Sequence, residues 1–208
     1  MVKDNAGYYY GLANLGKLDN PRIRRTGCAA RIPTLEADAM MSVPEPFDAL
    51  TRFAEIERLV GKIYFRFSHI FLDRPEIRDF WWEMAREEEE HGCILHACKA
   101  LIANYDDETL DPAISRDKAQ ALEKWLGSFL QRGAPSLSVE EAFRIALEIE
   151  SSEIDAIYSK LLHLGGPNIA KTMEYLGVPA STQRQKLKVA LRRFCSGNPD
   201  LLRVADQL

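Results

Sequence analysis

The chain has 208 residues, 46% hydrophobic and 28% charged, with a formal net charge of −4. Those values suit a globular chain with a sizeable core, and the negative balance counts against a nucleic-acid binder working through phosphate contacts. No apolar run approaches the ~18 residues of a membrane span. The first fifteen residues include Lys3, Asp4 and Asn5 without a continuous apolar block, so neither a membrane nor a signal peptide is expected.

Residues 1–45 carry Tyr8, Tyr9 and Tyr10, Gly7, Gly11 and Gly16, and the basic cluster Arg22, Arg24, Arg25 and Arg31, with no helical periodicity. They read as an irregular N-terminal arm that lies over the rest or joins a partner; a disordered tail is the alternative. Pro44 and Pro46 end the arm and suit the first turn of a helix, and Asp48 suits its positive end.

From there to about Phe71 the spacing predicts a long helix with the seam Leu50, Phe53, Glu57, Val60, Tyr64, Phe67 and Phe71. One acid, Glu57, interrupts its apolar face. Asp73, Arg74 and Pro75 predict a tight turn into a second, antiparallel helix ending near Asn104. The second seam is Ile77, Trp81, Met84, Glu88, His91, Leu95, Cys98 and Ile102. A carboxylate and an imidazole three apart share one helix face. An unpaired carboxylate in a core binds something or takes up a proton, and a metal satisfies both side chains at once. Glu89 and Glu90 point away from the seam as a solvated charge run.

A polar stretch, Asp106 to Pro112, precedes a shorter helix over Ser115 to Gln131, read as part of a long crossover. Ser138 and Glu141 form a capping box. It opens a third long helix to about Leu164, with the seam Val139, Phe143, Ala146, Glu150, Glu153, Ile157, Leu161 and Leu164. Gly165, Gly166 and Pro167 end it. Ile169 to Leu176 predicts a short helix and Ala180 to Phe194 the last one, with Gly197, Asn198 and Pro199 as a stop. The expected fold is therefore all-α: a four-helix bundle over residues 46–208 with a long crossover between helices two and three. Cys28, Cys93, Cys98 and Cys195 form no Cys-x-x-Cys pair, so they read as reduced thiols of a cytoplasmic protein.

Acids entering one core from three helices, together with Glu88-x-x-His91, resemble the rubrerythrin and ferritin-like di-iron carboxylate family over roughly residues 46–196. In the first helix Tyr64 follows Glu57 by seven residues, as in rubrerythrin-like helices. In the third, Glu150-x-x-Glu153 resembles a helix offering two alternative carboxylates. An internal repeat supports the alignment: Phe53 to Glu57 resembles Ile145 to Glu150, and Glu88 follows Glu57 by 31 residues. A similar step beyond Glu150 lands near position 183, where the family has a second Glu-x-x-His. Here Gln183 stands opposite Glu88, and Lys186 stands opposite His91.

The resemblance thus implies an incomplete di-metal site. Its expected ligands are Glu57, Glu88 and His91, with Glu150 near and Glu153 as a further carboxylate. Tyr64 and Gln183 lie around them, and Lys186 supplies charge where a second metal would sit, paired with Glu150 or Glu153. Two carboxylates and an imidazole suit iron, at one per chain, and also manganese or zinc. The implied function is an iron-dependent oxidoreductase or an iron-binding protein, fed by an external electron donor and assembled as a homodimer. The alternative is a non-catalytic, metal-free scaffold or interaction protein whose buried acids, His91 and Lys186 form a polar network. The basic end of the last helix (Lys186, Lys188, Arg192, Arg193) reads as complementing the helix terminus, not as a nucleic-acid site.

Overall fold

The computed structural model describes residues 47–102, 114–131 and 137–208, with only the backbone of Ala180. All of them belong to one compact unit, Pro44–Leu208. The expected N-terminal arm, the polar stretch Asp106 to Pro112 and Cys28 lie outside the described residues. Among the described residues the protein is all-helical, with no strand.

Two long helices, α1 (Ala49–Ile70) and α2 (Pro75–Leu101), form an antiparallel hairpin. The Asp48 side chain caps α1 by accepting from the Thr51 amide at 3.1 Å, and Pro75 occupies the first turn of α2. Ion pairs also link the two helices, Asp48 with Lys99 at one end and Arg58 with Glu89 further along. Two glycines let the backbones approach. A methyl group on Gly61 would meet the Ala85 carbonyl at 3.2 Å, and one on Gly92 would meet the Ala54 carbonyl at 3.1 Å. Both lie beside the Glu57, Glu88 and His91 positions, so the close contact brings the seam acids together.

The seam residues expected of α1 are buried, and so are those of α2 except the partly buried Ile102. Trp81 is their centre, with ring centroids 5.6 Å from Tyr64 and 4.8 Å from Phe143. Fully burying side chains of this size contributes about 1.5–3 kcal/mol each, enough to fix which faces meet.

The connecting helix α3 (Arg116–Gln131) packs on α1, where Arg66 donates to the Leu130 carbonyl at 2.7 Å. The third long helix is not continuous. It divides into α4 (Val139–Glu150) and α5 (Ile154–Leu162) at Ser151, Ser152 and Glu153. The serines supply the reason. Ser151 Oγ donates to the Glu148 carbonyl at 3.2 Å, and Ser152 Oγ accepts from the Ile154 amide at 3.4 Å, so side chains compete for helix backbone groups. The capping box of α4 forms as expected, with Ser138 and Glu141 exchanging both hydrogen bonds.

A single 3₁₀ turn, His163–Gly165, leads into α6 (Pro167–Leu176), followed by α7 (Ala180–Phe194). A further helix, α8 (Pro199–Ala205), begins where a stop was expected. Asn198 caps it by accepting from the Leu201 amide at 3.2 Å, so Asn-Pro ends one helix and starts the next. No helix among the described residues is long and apolar enough to cross a membrane.

Candidate metal centre

The hairpin places Glu57 on α1 opposite Glu88 and His91 on α2. Each offers one ligand atom, and the three atoms lie within 4.8 Å of one another. All three side chains are nearly inaccessible, at 2–3% exposure. His91 Nδ1 lies 3.3 Å from Glu88 Oε2 and 3.9 Å from Glu57 Oε2. Its other nitrogen, Nε2, donates to the Val178 carbonyl at 2.8 Å. A carbonyl only accepts, so Nε2 carries a hydrogen, and Nδ1 is the atom turned to the carboxylates. An outer partner that orients an imidazole in this way is typical of metal-ligating histidines.

Electrostatics sharpen the picture. Burial, and then the charge of Glu88, push the Glu57 carboxyl well above its usual range. Burial alone would lower His91, but Glu88 and Glu57 outweigh it and push the imidazole up to about 10. Without a cation the site therefore retains protons; a divalent ion can replace them at the same oxygens and at Nδ1. The donor set of two carboxylates and one imidazole fits iron, manganese or zinc.

Glu150, the last residue of α4, is also buried at 4% exposure. Tyr64 donates to its Oε1 at 2.7 Å, while its Oε2 has no hydrogen-bond partner. Burial, followed by the charges of Glu88 and Asp155, raises its pKa well above the ordinary value. Gln183 on α7 is completely buried and donates from Nε2 to Glu88 Oε1 at 2.5 Å. It occupies the position opposite Glu88 that the sequence comparison gives it.

Two expectations need correction. Glu153 does not join the site: the helix break puts it at the cap of α5, 46% exposed and paired with Lys118. Lys186 pairs with neither Glu150 nor Glu153. Its ammonium reaches α2, where it meets Glu83 at 3.0 Å and the fully buried Glu87. The long lysine stem follows the helix surface outward instead of entering the core.

Several neighbours escape the sequence reading. The Tyr158 ring stands 4.7 Å from the His91 ring. Asp155 is held 3.0 Å from Arg184, and burial and the charge of Glu88 raise its carboxyl to about 6 against the opposing effect of Arg184. Spacing gives no signal for Asp155, since five residues on from Glu150 lies off the shared face of an unbroken helix; it comes close only because the helix breaks between them. Nothing in sequence marks the Val178 carbonyl. Of the other basic residues at the end of α7, Arg192 pairs with Asp206 and Arg193 with Glu76 of α2, each at 2.7 Å. The described cysteines, Cys93, Cys98 and Cys195, are free thiols. The chain matches no protein-family model, no curated protein and no solved structure.

Proposed function

We propose that Glu57, Glu88 and His91 hold one divalent metal ion, iron first, and that the protein is a ferritin-like metal protein whose second metal position is closed. The observation that carries this reading is the orientation of His91. Its Nε2–H is engaged by the Val178 carbonyl, so Nδ1 faces two carboxylates in a dry pocket. The ferritin-like arrangement belongs to the same reading: α1, α2, the broken α4–α5 helix and α7 as the four members, with α3 in the crossover.

The bound iron would supply redox chemistry. The chain's own contributions are distinct from that. The core excludes water from the three donors. Tyr64 holds its hydroxyl proton against Glu150, so one carboxylate remains close to the centre without being free. Gln183 occupies a Glu88 oxygen with a neutral amide, which supports one metal per chain instead of two. An iron-dependent oxidoreductase on this pattern needs an external electron donor, since no Cys-x-x-Cys pair exists in the chain. Pairing into a homodimer and a cytoplasmic setting complete the proposal; the free thiols favour the latter.

A second reading, the metal-free scaffold, has one observation in its favour. The buried acids already have internal partners: Glu88 has Gln183 and His91, and Glu150 has Tyr64. Such a network can fix helix register without a metal.

Anaerobic titration with Co²⁺, followed by visible absorption and equilibrium dialysis, separates the two. The metal reading expects saturation at one equivalent, with loss of binding in Glu88→Ala and His91→Ala. The scaffold reading expects no binding by the wild-type protein.

A further inference from the structure

A cleft of about 420 Å³ opens between α5, the end of α6 and the start of α7. Its inner wall is formed by Tyr158 and Val178, the two groups that touch the His91 ring from outside. Tyr158 is 9% exposed and lines the cleft. Asp155 and Arg184 line the same cleft, and exposed Glu174 adds a second acid.

Glu57, Glu88 and His91 are closed to solvent, so an ion bound there has to cross protein. The described clefts differ in the charge they present to it. The cleft between α2 and α7, about 720 Å³, is lined by Glu76, Asp79 and Glu83 against Lys186 and Arg193, which pair with Glu83 and Glu76, and it touches neither Tyr158 nor Val178. The notch between α1 and α2, about 340 Å³, presents Arg58, Lys62 and Arg86 against one acid, Glu89. Among the described clefts, the α5–α7 cleft is the one that touches the groups holding His91, and it does so with two carboxylates against one guanidinium. Moving a cation into a low-dielectric interior is costly unless carboxylates meet it on the way.

We propose that the α5–α7 cleft is the path by which a divalent cation reaches the centre, with Asp155 as the transit carboxylate and Tyr158 as the gate beside His91. This rests on the reading of Glu57, Glu88 and His91 as a metal centre. Arg184 masks Asp155 at rest. At 32% side-chain exposure it has solvent to move into when a cation takes its place.

The test is the rate of Co²⁺ uptake by the full chain, followed by stopped-flow absorption without oxygen, alongside the equilibrium metal content. Asp155→Asn is expected to slow uptake about tenfold or more, the effect of removing charge from a focusing cleft. It should leave one Co²⁺ per chain at equilibrium. Ala156→Trp, which fills the exposed rim of the cleft, is expected to slow uptake without touching Asp155, and Arg184→Gln to speed it. Unchanged rates in both Asp155→Asn and Ala156→Trp, with one Co²⁺ bound, would overturn the path and leave the metal centre standing. Loss of equilibrium binding in Asp155→Asn would make Asp155 a ligand and overturn its transit role. A wild-type chain that takes up no Co²⁺ removes both readings.

Discussion

Glu88 has both carboxylate oxygens committed, Oε1 to the Gln183 amide and Oε2 toward His91. Tyr64 is the only described donor to Glu150. Tyr64→Phe therefore leaves a buried carboxyl with neither oxygen paired. It should cost about 1–3 kcal/mol of unfolding free energy, read by urea denaturation, with metal content unchanged. The pairing of Lys186 with the fully buried Glu87 makes a contrasting case. Breaking a buried pair from one side costs about 3–5 kcal/mol, and partial exposure of the lysine places Lys186→Ala toward the low end. Glu57 and Glu88 were legible because a carboxylate in a 3–4 apolar seam has few alternatives to the core; the fully buried Glu87 was not, because it stands one residue off that seam. Gln183 was legible by alignment with Glu88. Lys186 was not, because a flexible four-carbon stem lets a residue one turn further on leave the face its backbone shares.

The helix break is the feature that divides the two acids of Glu150-x-x-Glu153. In a continuous helix they share a face; with the turn at Ser151 and Ser152, Glu150 stays inside and Glu153 goes to solvent beside Lys118. Glu153→Ala should accordingly leave metal binding intact and cost less than about 1 kcal/mol, as an exposed pair does. Loss of metal in that variant would restore Glu153 to the site. At the other end of α4, Ser138→Ala removes the capping box and should cost about 1 kcal/mol. Helix positions were readable from period and caps, since Asp48, Ser138 and the apolar seams act locally. The break was not, because serine is tolerated in helices and only its competition for neighbouring backbone groups ends one here. The same break puts Asp155 on a new helix, where it lines the α5–α7 cleft.

For the whole molecule, the proposed metal centre would couple binding to stability and pH through the buried acids and His91. Glu57 and Glu150 are raised above the ordinary 4.5, and His91 is raised from 6.5 to about 10. In each case the folded chain holds its proton more tightly than the unfolded chain. The stability this contributes is complete below the unfolded value and is lost as pH rises, from about 4.5 for the acids and between 6.5 and about 10 for His91. The metal-free protein should therefore melt at progressively lower temperature from pH 5 to pH 9. A cation needs the same groups deprotonated, so its affinity should rise with pH, and the gap in Tm between loaded and metal-free protein should widen. Parallel melting curves at all pH values would contradict this coupling. The central claim, one metal held by Glu57, Glu88 and His91, is tested most directly by elemental analysis of protein purified without chelator or affinity metal, beside the Glu88→Ala/His91→Ala double variant. The account predicts about one iron, manganese or zinc per chain, lost in the variant, as expected for one three-donor site. No metal in the wild type, even after anaerobic addition of ferrous iron, or equal metal in both proteins, would contradict it.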